Sequence, residues 1–218
     1  VVDIELPELI KFEKPVGGKA AIQEAVSLLS SAKAPVILNG AGVILSDGIS
    51  QSMDLAELLD APVCVGYQHN DAFPGSHPLF AGPLGYNGSK AAMQLISEAD
   101  VVLCLGTRLN PFSTLPSYGI DYWPNEAKII QVDINPDRIG LSKKVTVGIV
   151  GDAKSAAQSL CKHISSYPNQ DTRANRRAHI AQIKSKWAQQ LSSMDHEDDD
   201  PGTSWNNRAR QSKPDWMS

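Results

Sequence analysis

The chain has 218 residues, 42% of them hydrophobic and 20% charged, with 20 Lys and Arg against 24 Asp and Glu for a formal net charge of -4. That apolar share excludes wholesale disorder, and the mild acidity gives no pull toward nucleic acid or an anionic membrane. No run approaches the roughly 18 apolar residues that a membrane-spanning helix needs.

Residues 1–18 carry Pro7, Pro15, Gly17 and Gly18 among alternating charges and read as a linker. Ile22, Ala25, Val26 and Leu29 then recur at helical spacing and predict a helix from Lys19 to Ser31. Ala34-Pro35 ends it, and Val36-Ile37-Leu38 reads as a strand closing on Asn39-Gly40-Ala41-Gly42. The unit repeats. A helix over 50–59 leads to a strand at Val63-Cys64-Val65, and a helix over 89–98 leads to one at 101–105. Further strands are expected at 128–134 and 145–150, then a helix from Gly151-Asp152 to Ile164 with Ala156, Leu160 and Ile164 on one face. These strands are continuous apolar runs rather than alternations, so both faces of the sheet should be covered. The pattern predicts an α/β fold, an open, mostly parallel, doubly wound sheet.

After Tyr167-Pro168 the composition turns polar. Ala174, Ala178, Ala181, Trp187, Leu191 and Met194 fall at helical spacing and predict a long helix from Asp171. It should stop before the acidic run Asp195–Asp200, with Pro201-Gly202 opening an extended tail. That run lacks the glycine and spaced glutamate of a calcium loop and reads as solvated. The chain starts without Met and stops without a closing element, so it is expected to be a piece of something longer. Its first residues show neither a basic start nor an apolar run, and Cys64, Cys104 and Cys161 form no C-x-x-C. A cytoplasmic protein with reduced thiols is the expectation.

Four places carry candidate chemistry. Asn39–Gly42 sits between a strand and a helix, as a dinucleotide loop does, but Leu45 stands where the third glycine belongs. Gly66-Tyr67-Gln68 likewise replaces the ribose-binding acid, so the glycines read as a tight turn. Gly40, Gly42, Gly106 and Asp133 are the candidate nucleotide-contacting positions; Asp133 either meets a ribose hydroxyl or caps the Asp137–Leu141 turn. The long loop Tyr67–Gly88 holds His69 and His77, each either an acid/base group or a loop residue bonded to backbone. Arg108, at a strand's carboxyl end, either clamps an anion or serves structurally by capping carbonyls or pairing with Asp133. No metal-ligand spacing, catalytic triad, phosphate-binding P-loop or nucleic-acid motif is present.

The series PVILNGAG, APVCVGYQHNDAFPGSHPLFAGPLGYNGSKAA, ADVVLCLGTRLNPF and KIIQVDINPDRIG…GIVGDAK resembles the central domain of thiamine-diphosphate-dependent enzymes of the acetohydroxyacid synthase type, over roughly residues 19–165. LGTRLNPFSTLPSYGIDYWP and SKWAQQLSSMDHEDDDPGTSWN are more similar to family members that act on sulfoacetaldehyde and inorganic phosphate. The resemblance implies an acyltransferase of organosulfonate (taurine) breakdown, assembled as a homo-oligomer. It divides the chain into a connector over 1–18, a central domain over 19–167, and a helix and connector over 168–218 leading to a cofactor-binding domain. Thiamine diphosphate and Mg²⁺ would be held outside this chain, which alone would be inactive. Arg108, His69 and Asn70 are the local candidates for holding the sulfonate or phosphate. The departure from the dinucleotide fingerprint argues against bound FAD. The alternatives are an acetohydroxyacid synthase-like enzyme or another thiamine-diphosphate lyase or decarboxylase, and a stand-alone nucleotide-binding module.

Overall fold

In the computed structural model, residues 13–165 and 170–196 are described. The elements run α1 (Lys19–Ser31), β1 (Pro35–Asn39), α2 (Ala41–Leu45), α3 (Ile49–Leu59), β2 (Val63–Val65), β3 (Phe80–Pro83) and α4 (Lys90–Ser97). They continue with β4 (Val101–Leu105), α5 (Pro111–Thr114), β5 (Lys128–Asp133), a 3₁₀ turn at Pro136–Arg138, β6 (Val147–Val150), α6 (Ala153–His163) and α7 (Gln170–His196). All pairings are parallel, in the order β3-β2-β1-β4-β5-β6. The chain builds outward from β1 in one direction and from β4 in the other. Such a reversal leaves a crevice at the carboxyl ends of the two central strands.

Burial explains the central strands. Every residue of β1, β2 and β4 is buried, so helices must cover both faces. α1, α3 and α6 pack as one group and α4 and α7 as another. Ser89 caps α4 by accepting from the Ala92 N–H, and Asp152 caps α6 through the Ser155 N–H. No helix among the described residues is long and apolar enough to cross a membrane.

Three expectations need correcting. First, β6 alternates buried and exposed residues instead of being covered throughout. It is an edge strand, packed by α1 on one face and reached from β5 through a 3₁₀ turn rather than through a helix that would cover the other. Second, the long loop after β2 contains a strand, Phe80–Pro83, that pairs with β2 from the other edge. There Pro83 is tolerated because an edge strand can forgo a ladder donor.

Third, α7 continues through Asp195 and His196 rather than ending before the acidic run, and a different face is buried. Ile180 and Ile183 are buried and Trp187 packs against the core, whereas Ala174, Ala178 and Ala181 face solvent and Leu191 is half exposed. Arginines direct that docking. Arg173 and Arg177 both bond the carboxylate of Asp60, the fully buried residue that ends α3 at a φ of 46°. Arg173 also donates to the Glu57 carbonyl at 3.1 Å and Arg176 to the Leu59 carbonyl at 3.0 Å. Cations at the carboxyl end of α3 complement its dipole. Residues 1–12, the remainder of the acidic run and the tail from 197 lie outside the described residues.

Candidate functional site

A cavity of about 600 Å³ opens at the carboxyl ends of β1, β2, β4, β5 and β6, at the crevice the strand order creates. Its floor is two glycines, Gly42 and Gly106, in backbone contact, with Gly40 packed just behind them. Gly40 N–H donates to the Leu105 carbonyl and Gly42 N–H to the Gly106 carbonyl, both at 2.9 Å. A Cβ on Gly106 would lie 2.5 Å from the Gly42 Cα, and Gly106 has a φ of +58°. These glycines are required because the turns after β1 and β4 touch. Gly42 and Gly106 line the cavity, while Gly40 lies outside its lining.

Buried polar side chains hold the surrounding loops. Asn39, at the end of β1, donates to Ser52 Oγ at 2.8 Å and to the Ala72 carbonyl at 2.9 Å, tying α3 and the long loop to the sheet. Ser113 Oγ accepts from the Tyr67 N–H at 2.8 Å, and Tyr67 stacks on Phe112 with ring centroids 5.8 Å apart. Tyr122 donates to the Ser113 carbonyl at 3.0 Å; burial pushes its phenol up to about 12. Gln131 of β5 reaches three backbone groups on the cavity's far wall.

The wall carries both signs of charge. Asp133 accepts from the Asn135 N–H at 2.9 Å, which braces the end of β5; the turn that follows is capped instead by Asn135, whose side chain accepts from the Asp137 N–H at 3.0 Å. Asp152 receives the Ser155 N–H and hydroxyl, each at 3.1 Å, and the Lys14 ammonium, also at 3.1 Å. Burial alone would raise the Asp152 carboxyl, but these donors outweigh it and hold the group below its ordinary value. Lys14 thus brings the segment before α1 onto the cavity. Arg108 and Arg138 also line it, exposed, with no side-chain hydrogen bond or ion pair among the described residues. The expected alternative of an Arg108–Asp133 pair is therefore not formed.

His69 is half buried in the wall, whereas Asn70 is exposed and does not line the cavity. His77 sits elsewhere: its Nδ1 accepts from the Leu79 N–H at 3.2 Å, and its Nε2 lies 3.2 Å from Glu57. Sequence reasoning missed Lys14, Gln131 and Arg138. Only Gln131 left a signal, as a polar residue inside the apolar run KIIQVDI. No three His, Cys, Asp or Glu among the described residues are grouped to hold a metal ion. The thiols are unpaired; burial raises those of Cys64 and Cys104, and burial with nearby Asp54 pushes Cys161 up to about 11.

The family described as "Thiamine pyrophosphate enzyme, central domain" matches residues 22–160. The chain belongs to that family. This thiamine pyrophosphate enzyme central domain is 69% identical over all 218 residues to a sulfoacetaldehyde acetyltransferase of Roseovarius nubinhibens, covering 36% of that protein. It is 65% identical over the same 218 residues to one of Rhodobacter capsulatus, covering 37% of it. The central domain thus spans little more than a third of the length of these curated relatives. Its fold is similar to the X-ray structure of a candidate thiamin diphosphate-dependent enzyme from Mycobacterium smegmatis. That match has a TM-score of 0.62 at 23% identity over 75% of this chain and 31% of the other.

Proposed function

We propose that this chain is the central part of a sulfoacetaldehyde acetyltransferase, which converts sulfoacetaldehyde and inorganic phosphate to acetyl phosphate and sulfite. The observation that carries the reading is the extent of the similarity. The alignment at 69% overall identity spans all 218 residues and so extends beyond the 22–160 match of the central-domain family on both sides. In this reading residues 1–18 enter the domain, 19–167 form it, and 168–218 lead toward a further domain. The enzyme works in the cytoplasm as a homo-oligomer.

The reaction balances without an external oxidant. The aldehyde carbon rises to the acyl level, the adjacent carbon is reduced as its C–S bond breaks, and sulfite leaves with that bond's electron pair. Phosphate oxygen takes the acyl carbon. The family is named for thiamine pyrophosphate, that is, thiamine diphosphate, and the whole enzyme is expected to take it with Mg²⁺. The residues of this chain do not fit that group: there is no Gly-Asp-Gly in the sequence and no metal-binding cluster among the described residues. FAD fits poorly too. Gly42 faces the Gly106 backbone rather than an open cradle, and Leu45 stands where a dinucleotide loop has its third glycine.

What the chain supplies is a cavity whose wall carries Arg108 and Arg138 beside the paired Lys14 and Asp152 and the carboxylate of Asp133. Both substrates are anionic, and the Arg108 guanidinium on the cavity wall has no side-chain partner among the described residues, which suits it to two-point binding of a sulfonate or phosphate. His69 stands in the same wall as a second polar contact. The test is an assay of the full-length gene product with thiamine diphosphate and Mg²⁺, offering sulfoacetaldehyde with phosphate or pyruvate alone. Sulfite release is expected; acetolactate from pyruvate without sulfite would reject the reading.

A further inference from the structure

Gln131 interrupts the apolar middle of β5, between Ile130 and Val132, and its side chain is buried. Its amide nitrogen donates to the backbone carbonyls of Thr107 and Arg138, each at 3.1 Å. Its oxygen accepts from the Gly140 N–H at 2.9 Å. Both donor hydrogens of the amide are therefore engaged, as a buried amide requires.

The two carbonyls are not arbitrary. One belongs to Arg138 itself. The other begins the peptide plane that enters Arg108, and that plane is rigid. Thr107 Oγ1 also accepts from the Leu109 N–H at 3.2 Å, so the backbone is held on both sides of Arg108. Leu109 sits there at a φ of 55°, a conformation that needs such support. A single buried side chain thus joins the two loops whose arginines face one cavity.

Resting on the reading that this cavity takes an anionic substrate, we infer that Gln131 is a positioning residue, setting the spacing of Arg108 and Arg138 so that both guanidiniums receive one tetrahedral oxyanion. That oxyanion is a sulfonate or a phosphate, which share charge and shape. Gln131 touches no substrate. It acts through the arginines by fixing the backbone from which each side chain projects.

The test uses steady-state kinetics of the full-length enzyme, varying phosphate and sulfoacetaldehyde separately. Arg108→Gln and Arg138→Gln should each raise KM for one of the two about tenfold, the scale of one charge-assisted hydrogen bond. Which KM rises identifies the anion. Gln131→Met keeps length and packing but removes all three bonds; it should raise the same KM about fivefold, with kcat changed less than twofold. Combined with Arg108→Gln and Arg138→Gln it should add nothing, because its effect passes through them.

An effect of Gln131→Met that persists without the arginines, or none at all while the arginine variants raise KM, overturns the positioning role. Unchanged KM values in both arginine variants overturn the cavity reading itself. Should Gln131→Met not accumulate as folded protein, Gln131→Asn replaces it. Its shorter amide cannot reach both carbonyls, and the same outcomes apply.

Discussion

Gly106→Ala places a methyl group where the turns after β1 and β4 meet. The new Cβ would lie 2.5 Å from the Gly42 Cα, 2.8 Å from its carbonyl carbon and 2.9 Å from the Val43 nitrogen. All three are backbone atoms, so no rotamer change relieves them. Alanine at the φ of +58° costs about 1–2 kcal/mol, and overpacking against fixed atoms adds about 1–3 kcal/mol. The sum is about 2–5 kcal/mol. At about 2–4 °C per kcal/mol for a chain of this size, Tm should fall by roughly 5–20 °C in a calorimetric or circular-dichroism melt. Gly119→Ala is the control. Gly119 has a φ of +72° with nothing within 4 Å of its hypothetical Cβ, so it should lose only the backbone part, about 1–2 kcal/mol. Equal destabilisation by the two variants would refute the close contact and with it the account of the cavity floor.

Two further predictions concern charge. Asp60→Asn keeps the shape of the residue that ends α3 but leaves Arg173 and Arg177 without their shared carboxylate. Because both guanidiniums are partly solvated, the cost should be about 1–3 kcal/mol rather than the larger penalty of a wholly buried pair. Trypsin should then cut within α7 several-fold faster, and an unchanged cleavage rate would show that the arginines do not dock the helix. For Asp152 the folded carboxyl lies below its ordinary value, so its contribution to stability is present above the unfolded pKa and is lost as pH falls through the folded one. Asp152→Asn should therefore flatten stability against pH in acid, below about pH 4, while retaining much of the α6 cap; an unaltered acid limb in pH-dependent melts would contradict this.

The sheet was legible because β1, β2, β4 and β5 are short runs rich in Val, Ile, Leu and Cys that need cover on both sides. β3 was not, since Phe80–Pro83 carries a glycine and a proline and is a strand only because β2 offers an edge. The face of α7 was misread for a related reason. Its alanines suit either side of a helix, and the choice was made by Arg173, Arg176 and Arg177 meeting the end of α3, about 115 residues earlier in the chain. At the site, Arg108 could be found from its place after Leu105-Gly106 at a strand end. Lys14 could not, because the sequence does not say that the segment before α1 folds back onto Asp152. Gln131 was visible as an oddity, but its partners lie on two loops that only the folded sheet brings together.

The central claim is the reaction, and phosphorus NMR of the full-length enzyme tests it most directly. With sulfoacetaldehyde, thiamine diphosphate and Mg²⁺ present, the inorganic phosphate signal should convert to acetyl phosphate with one sulfite released per acetyl phosphate formed. Phosphate left unconsumed while sulfoacetaldehyde disappears, or acetyl phosphate formed without sulfite, would contradict the account.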